Sequence, residues 1–165
     1  MIEKEELLSL LPHRGRMLLL SRIKKYNLKE RTLEAEYDIS EDCLFYDPAA
    51  QGVPVWAGFE FMAQAISSLI GLRDRELGVK SKMGLILSVS SMNITLPFFR
   101  TGSTAAIKVK EINRMDLVYT FKGEIFPGCS NGPEAESVLE GKITVTEIDE
   151  EQARALKEGD SIEHG

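Results

Sequence analysis

The amino-acid sequence predicts an α+β fold, an antiparallel sheet wrapped around one long apolar helix. Three observations carry this expectation. The stretch "VPVWAGFEFMAQAISSLIG" (53–71) is apolar or small at nearly every position, as in a helix buried on all sides. Several other stretches alternate apolar with polar residues, the pattern of a strand with one dry and one wet face. The chain's 165 residues, 43% hydrophobic and 28% charged, suffice for one domain with a real core.

Each element follows in order. "EKEELLSLL" (3–11) has its acids first and Leu at helical spacing, which predicts a short amphipathic helix ended by Pro12. "MLLLSRIKKY" (17–26) reads as a strand. "RTLEAEYDI" (31–39) puts Leu33, Ala35, Tyr37 and Ile39 on one face and Thr32, Glu34, Glu36 and Asp38 on the other. Residues 40–53 hold Ser, Asp, Pro, Gly and Gln and read as a loop. The apolar helix is expected over 55–72, followed by the charged connector "RDRELGVKSK" (73–82).

Four more strands complete the pattern. "MGLILSVSSMNITLPF" (83–98) is long and expected to bend. "TAAIKVKEI" (104–112) sets Ala105, Ile107 and Val109 opposite Lys108 and Lys110. "LVYTFKGEIF" (117–126) alternates too. "ESVLEGKITVTEI" (136–148) lines up Leu139, Gly141, Ile143 and Val145. "PGCSNGPEA" (127–135) is turn-rich. The polar tail from Asp149 is expected to hold at most one helical turn. Antiparallel strands with one dry face need a cover, and only one helix is apolar enough to supply it. A sheet wrapped around a single central helix is the hot-dog architecture, so a single hot-dog domain is expected over 1–148 with a tail over 149–165.

Composition narrows the function. A net charge of −6 argues against nucleic acid as a partner, because phosphate binding wants a basic face. Cys43 and Cys129 form no disulfide framework and no zinc spacing, as expected for reduced thiols in a cytoplasmic protein. "MIEKEELLSL" does not read as a signal peptide. The apolar stretch carries Pro54, Glu60 and Gln64 and is not expected to span a membrane. No metal or nucleotide motif is visible.

Three stretches resemble the hot-dog-fold 3-hydroxyacyl-ACP dehydratases of fatty-acid synthesis, the FabZ/FabA-like enzymes. They are "LLPHRGRMLLLSRI" (10–23), "EFMAQA" (60–65) and "YTFKGEI" (119–125). "LPHR" and "E-x-M-A-Q" at this separation are fairly specific as a pair. "VPVWAGFEFMAQA" also resembles a narrower branch, the dehydratase-like proteins of aryl polyene pigment clusters. The resemblance implies an acyl thioester carried on the phosphopantetheine of an acyl carrier protein or CoA. It implies no protein-bound cofactor, and a homodimer or higher oligomer with its site between protomers.

One departure stands out. The resembling enzymes carry a catalytic histidine fourteen residues before the helix glutamate. Here that position is Tyr46, in "FYDPAAQG", and the histidines of the chain are His13 and His164. Carried over, Glu60 becomes the acid/base that acts on the β-hydroxyl. The amides of Val55, Trp56 and Ala57 become the end that holds the thioester carbonyl, with Gly58 and Phe59 beside them. A carboxylate flanked by Trp56, Phe59, Phe61 and Met62 is expected to be partly desolvated. Trp56 and Phe59 serve either an acyl tunnel or the core. Gln64, one turn on, either orients Glu60 or bonds backbone in the core.

Tyr46 and Asp47 stand where the histidine is missing. Tyr is a usable hydrogen-bond donor, and Asp47 would pair a second carboxylate with Glu60. The competing reading is turn chemistry, Asp before Pro. His13, in "PHRGR", belongs to the "LPHR" signature and is expected to bond backbone. Arg73, Arg75, Lys80 and Lys82 form either a solvated connector or a docking patch for an acidic carrier. Three functions therefore stand. One is a dehydratase, one a thioesterase in which Glu60 activates water, and one a non-catalytic acyl-thioester-binding subunit.

Overall fold

A computed structural model of the chain describes residues 1–128 and 135–163. Cys129, most of the turn-rich loop and His164 lie outside these residues.

The first helix, α1 (Lys4–Leu10), turns Leu7 into the core and stops before Pro12, with Leu11 N–H donating to the Leu7 carbonyl at 2.9 Å. A 3₁₀ turn (Gly15–Met17) leads to β1 (Arg22–Asn27). The strand expected from residue 17 is thus shorter at its front. Leu18, Leu19 and Leu20 are all buried, whereas a strand would turn alternate residues outward. Strand β2 (Thr32–Asp38) buries the expected residues Leu33, Ala35 and Tyr37.

The central helix α2 (Gly58–Leu77) is entered through β3 (Gly52–Pro54) and a 3₁₀ turn (Val55–Ala57). It packs against β2, β6 (Thr104–Met115) and β7 (Val118–Pro127). Small residues set the approach. A Cβ on Gly58 would lie 2.6 Å from Ile125 Cδ1 and 2.7 Å from Leu139 Cδ2. A Cβ on Gly123 of β7 would lie 2.3 Å from Met62 Sδ. The helix runs past the expected end at 72. Gly78, at φ 65°, closes it by donating to the Arg75 carbonyl at 3.2 Å, the left-handed cap glycine permits.

Val55–Leu77 has the length and mean hydropathy (1.3) of a membrane span, yet 72% of its most apolar window is buried inside the protein. That is the signature of a core helix.

The stretch 83–98 divides into β4 (Met83–Ile94) and β5 (Phe98–Arg100). Pro97 cannot donate to a ladder; its carbonyl instead accepts from Val55 N–H at 2.9 Å. Strand β5 pairs with β3, two short strands where the sequence predicts a loop and the end of a longer strand. With β8 (Leu139–Ile148) the main sheet has the order β1-β2-β6-β7-β8-β4, antiparallel throughout. This antiparallel sheet around one long helix is the hot-dog fold.

Strand β4 is an edge of that sheet and is exposed along all twelve residues, including Leu85, Ile86, Leu87, Val89, Met92 and Ile94. The tail forms α3 (Glu150–Glu163), longer than the single turn expected. A reciprocal cap starts it: Gln152 N–H donates to Asp149 Oδ1 at 2.8 Å, and Asp149 N–H to Gln152 Oε1 at 3.0 Å.

Candidate active site

Glu60 lies in the first turn of α2, and Gln64 follows one turn later on the same face. Gln64 is 1% exposed and fully employed. Its Oε1 accepts from Leu19 N–H at 2.8 Å, and its Nε2 donates to the Met17 carbonyl at 2.8 Å and to Glu60 Oε1 at 3.4 Å. Both readings of Gln64 therefore hold. It bonds backbone first and touches the carboxylate second. This pairing helps to keep residues 17–19 out of the sheet: Gln64 satisfies the Met17 carbonyl and Leu19 N–H, while the Met17 and Leu18 N–H groups donate to the Arg14 and Gly15 carbonyls.

Pinning residues 17–19 to α2 brings the preceding "PHRGR" turn over the start of the helix. His13 Nε2 lies 3.7 Å from Glu60 Oε1, with side-chain exposures of 27% and 37%. The other ring nitrogen, Nδ1, is buried and has no hydrogen-bond partner among the described residues. The expectation that His13 is a structural histidine bonded to backbone is thus corrected. Among the described residues its ring makes no backbone hydrogen bond, and it faces the helix carboxylate. Arg14 beside it does the backbone work, donating to the carbonyls of Leu8, Leu11 and His13 at 2.6–2.9 Å.

His13 and Glu60 open onto a pocket of about 370 Å³. Its remaining walls are Met17, Leu44, Phe45, Trp56, Ala57 and Phe59. The Phe45 and Trp56 rings meet edge to face with centroids 5.5 Å apart. These two polar side chains in an otherwise apolar wall suit an acyl chain with one reacting end.

The other expected site residues divide. Trp56, Ala57 and Phe59 line the pocket; Val55 and Gly58 are buried and do not. Val55 N–H is already spent on the Pro97 carbonyl. Of the three amides assigned to the thioester carbonyl, that one is removed.

Tyr46 and Asp47 do not line the pocket within the protomer. Asp47 Oδ1 accepts from Ala49 N–H at 2.9 Å and Ala50 N–H at 3.4 Å, the turn chemistry that Asp before Pro suggested. Tyr46 packs half-buried against the core.

The basic cluster is largely spent inside the chain. Arg73 pairs with buried Asp74 and with Glu147, which hold its guanidinium firmly protonated despite burial. Arg75 pairs with Glu6 at 2.9 Å and Lys80 with Glu150 at 2.5 Å. Arg73 and Arg75 belong to α2 rather than to a connector. A smaller cleft of about 210 Å³ near Arg73 is likewise self-neutralised, with Glu111 between Arg31 and Arg114. No group of three metal-ligating side chains occurs among the described residues.

The sequence profile of the ApeP-like family, described as ApeP dehydratase, matches residues 5–157. Among curated proteins, the chain is 27% identical over 123 residues to the 3-hydroxyacyl-[acyl-carrier-protein] dehydratase FabZ of Erythrobacter litoralis, covering 73% of this chain and 80% of that one. It is 25% identical over 153 residues to the FabZ of Chlamydia trachomatis serovar L2, covering 89% and 93%. Among solved structures, the dehydratase heterocomplex ApeI:P of Xenorhabdus doucetiae matches with a TM-score of 0.78 at 21% identity, over 91% of this chain and 95% of that one. A hypothetical thioesterase of Streptococcus pneumoniae, solved with coenzyme A, matches with a TM-score of 0.56 at 13% identity, over 86% and 91%. The structural likenesses establish the fold.

Proposed function

The chain belongs to the ApeP-like dehydratase family, and from that premise we propose that it dehydrates 3-hydroxyacyl thioesters, with Glu60 as the group that protonates the departing β-hydroxyl. The observation that carries the reading is the place of Glu60. It is a half-exposed carboxylate in the first turn of a buried helix, on the wall of an apolar pocket. The pocket accepts the acyl chain, and the positive end of α2 lies at the same wall through Trp56 and Ala57. Partial positive charge there favours the negative charge that develops on a thioester carbonyl oxygen. The substrate rides on the phosphopantetheine of an acyl carrier protein, the carrier that the names of the curated relatives print, or of CoA.

A second hot-dog protomer completes the assembly through β4. An exposed edge strand rich in Leu, Ile and Val is a template for pairing. In the matched heterocomplex the assembly is of unlike chains by its name, so the partner is either a second copy or a related hot-dog chain.

A thioester panel tests the reading. An enoyl thioester is offered to wild type and to Glu60→Gln, and both hydration and thiol release are followed. Hydration by wild type and its loss in Glu60→Gln support dehydratase chemistry. Thiol release abolished by the same substitution would make the protein a thioesterase instead. Saturable acyl-thioester binding with neither reaction would make it a binding subunit.

A further inference from the structure

The dehydratase reading leaves one proton without a carrier. Elimination of water removes a proton from Cα and the hydroxyl from Cβ, so two protic groups must reach adjacent carbons. Within the protomer neither Tyr46 nor Asp47 lines the pocket. His13 does, 3.7 Å from Glu60. A histidine kept for the fold alone would spend its ring nitrogens on backbone groups. Here Nδ1 is buried and unpartnered among the described residues, and Nε2 faces the carboxylate. The ring is instead fixed from behind: Arg14 clamps the turn through three carbonyls, and Gln64 holds Met17 and Leu19.

We propose that His13 is the second proton carrier of this site, supplied by the same protomer as Glu60. The inference rests on the dehydratase reading above. His13 Nε2 takes the Cα proton, and the C–H electron pair moves into an enolate on the thioester oxygen. That pair returns to form the Cα–Cβ double bond as the Cβ–O bond breaks. The Glu60 carboxyl gives its proton to the departing hydroxyl, which leaves as water. His13 is then protonated and Glu60 ionised, and transfer of one proton across the 3.7 Å between them restores the starting state. No oxidant, metal or further reactant is needed. Because both groups come from one chain, a partner protomer supplies no proton carrier.

The test separates the two groups. A saturated acyl thioester with no β-hydroxyl exchanges its α-hydrogen with solvent deuterium if His13 acts as a base, without any elimination. Wild type and Glu60→Gln should both catalyse exchange. His13→Gln should lose exchange and hydration by about 10²–10⁴-fold, the usual contribution of a positioned acid or base. Coexpressing His13→Gln with Glu60→Gln chains should restore nothing, because every site still lacks one group. In folded His13→Ala, added imidazole should return part of the exchange rate, which a purely structural ring would not allow.

Several results would overturn the assignment. Unchanged hydration and exchange in His13→Gln would remove His13 alone and leave Glu60 standing. Recovered activity in the mixed chains would move the two groups to different protomers. Folded His13→Ala that imidazole does not rescue would count as a structural role. A wild type that hydrates no enoyl thioester would sink the dehydratase reading, and this proposal with it.

Discussion

Replacing Gln64 by leucine removes the contact that ties fold to site. The two side chains have similar volume, so little cavity forms. What changes is hydrogen bonding at a position 1% exposed. Leu19 N–H loses an acceptor at 2.8 Å in a buried place, a cost of about 1–3 kcal/mol. The Met17 carbonyl, partly buried, loses a donor at 2.8 Å, which costs about 0.5–1.5 kcal/mol because water can partly replace it. The expected loss for Gln64→Leu is thus about 1.5–4.5 kcal/mol, or a fall of about 3–18 °C in Tm for a domain of this size.

Urea titration and thermal unfolding of wild type and variant measure the loss. Gln64→Glu supplies an internal check. It keeps the acceptor for Leu19 but loses the donor to Met17 and sets a second carboxylate beside Glu60. Its stability should recover at low pH, where the new carboxyl is protonated and donates again. A loss below about 0.5 kcal/mol in Gln64→Leu, within the range of ordinary surface changes, would refute the claim that this side chain pins residues 17–19.

Three further outcomes follow from the same geometry. Gly58→Ala would press a methyl to 2.6 Å from Ile125 and 2.7 Å from Leu139; such overpacking should cost about 1–3 kcal/mol in denaturant titration, and an unchanged midpoint would mean that α2 can stand off from the sheet. Leu87→Lys places a charge on the exposed β4 edge and should shift the protein toward monomer in sedimentation velocity, whereas an unchanged assembly would place the interface elsewhere. Asp38 is held below the usual carboxylate range by hydrogen bonding to Arg22 and then to Thr104. A depressed folded-state value means stability present above the unfolded value of about 3.9 and lost as pH falls through the folded one. The stability gap between wild type and Asp38→Asn should therefore narrow on acidification from neutral pH to below about pH 4, and a gap constant with pH would contradict that role.

The fold was legible because its signals are local. Alternation in Thr32–Asp38, Thr104–Val109 and Leu139–Val145 announced one-sided strands, and one all-apolar segment announced what they cover. Misread boundaries lie where tertiary contacts override pattern. Leu18–Leu20 has the apolar run of a strand, but all three residues are buried, and Gln64 bonds the Leu19 N–H and the neighbouring Met17 carbonyl. The strands β3 and β5, three residues each, are too short for periodicity to show. Helix α2 runs on through "RDREL" because Asp74 and Arg73 find each other and Glu147. The start of α3 is marked in the sequence by Asp149 with Gln152 three residues on, the pair that forms its reciprocal cap.

At the site, Glu60 was legible as an anomalous charge in an apolar helix. The approach of His13 was not, because it depends on a turn pinned across α2 by Gln64. The usable clue was the joint presence of "LPHR" and "E-x-M-A-Q", whose His and Glu meet in space.

The central claim is that Glu60 works on the β-hydroxyl of an acyl thioester, and the mass of a 3-hydroxyacyl group held on a carrier protein reads it directly. Wild type should drive that mass toward the enoyl product by loss of one water, with the thioester intact, while folded Glu60→Gln leaves it unchanged. Elimination by Glu60→Gln at the wild-type rate, or release of the free acid in place of the enoyl product, would contradict the account.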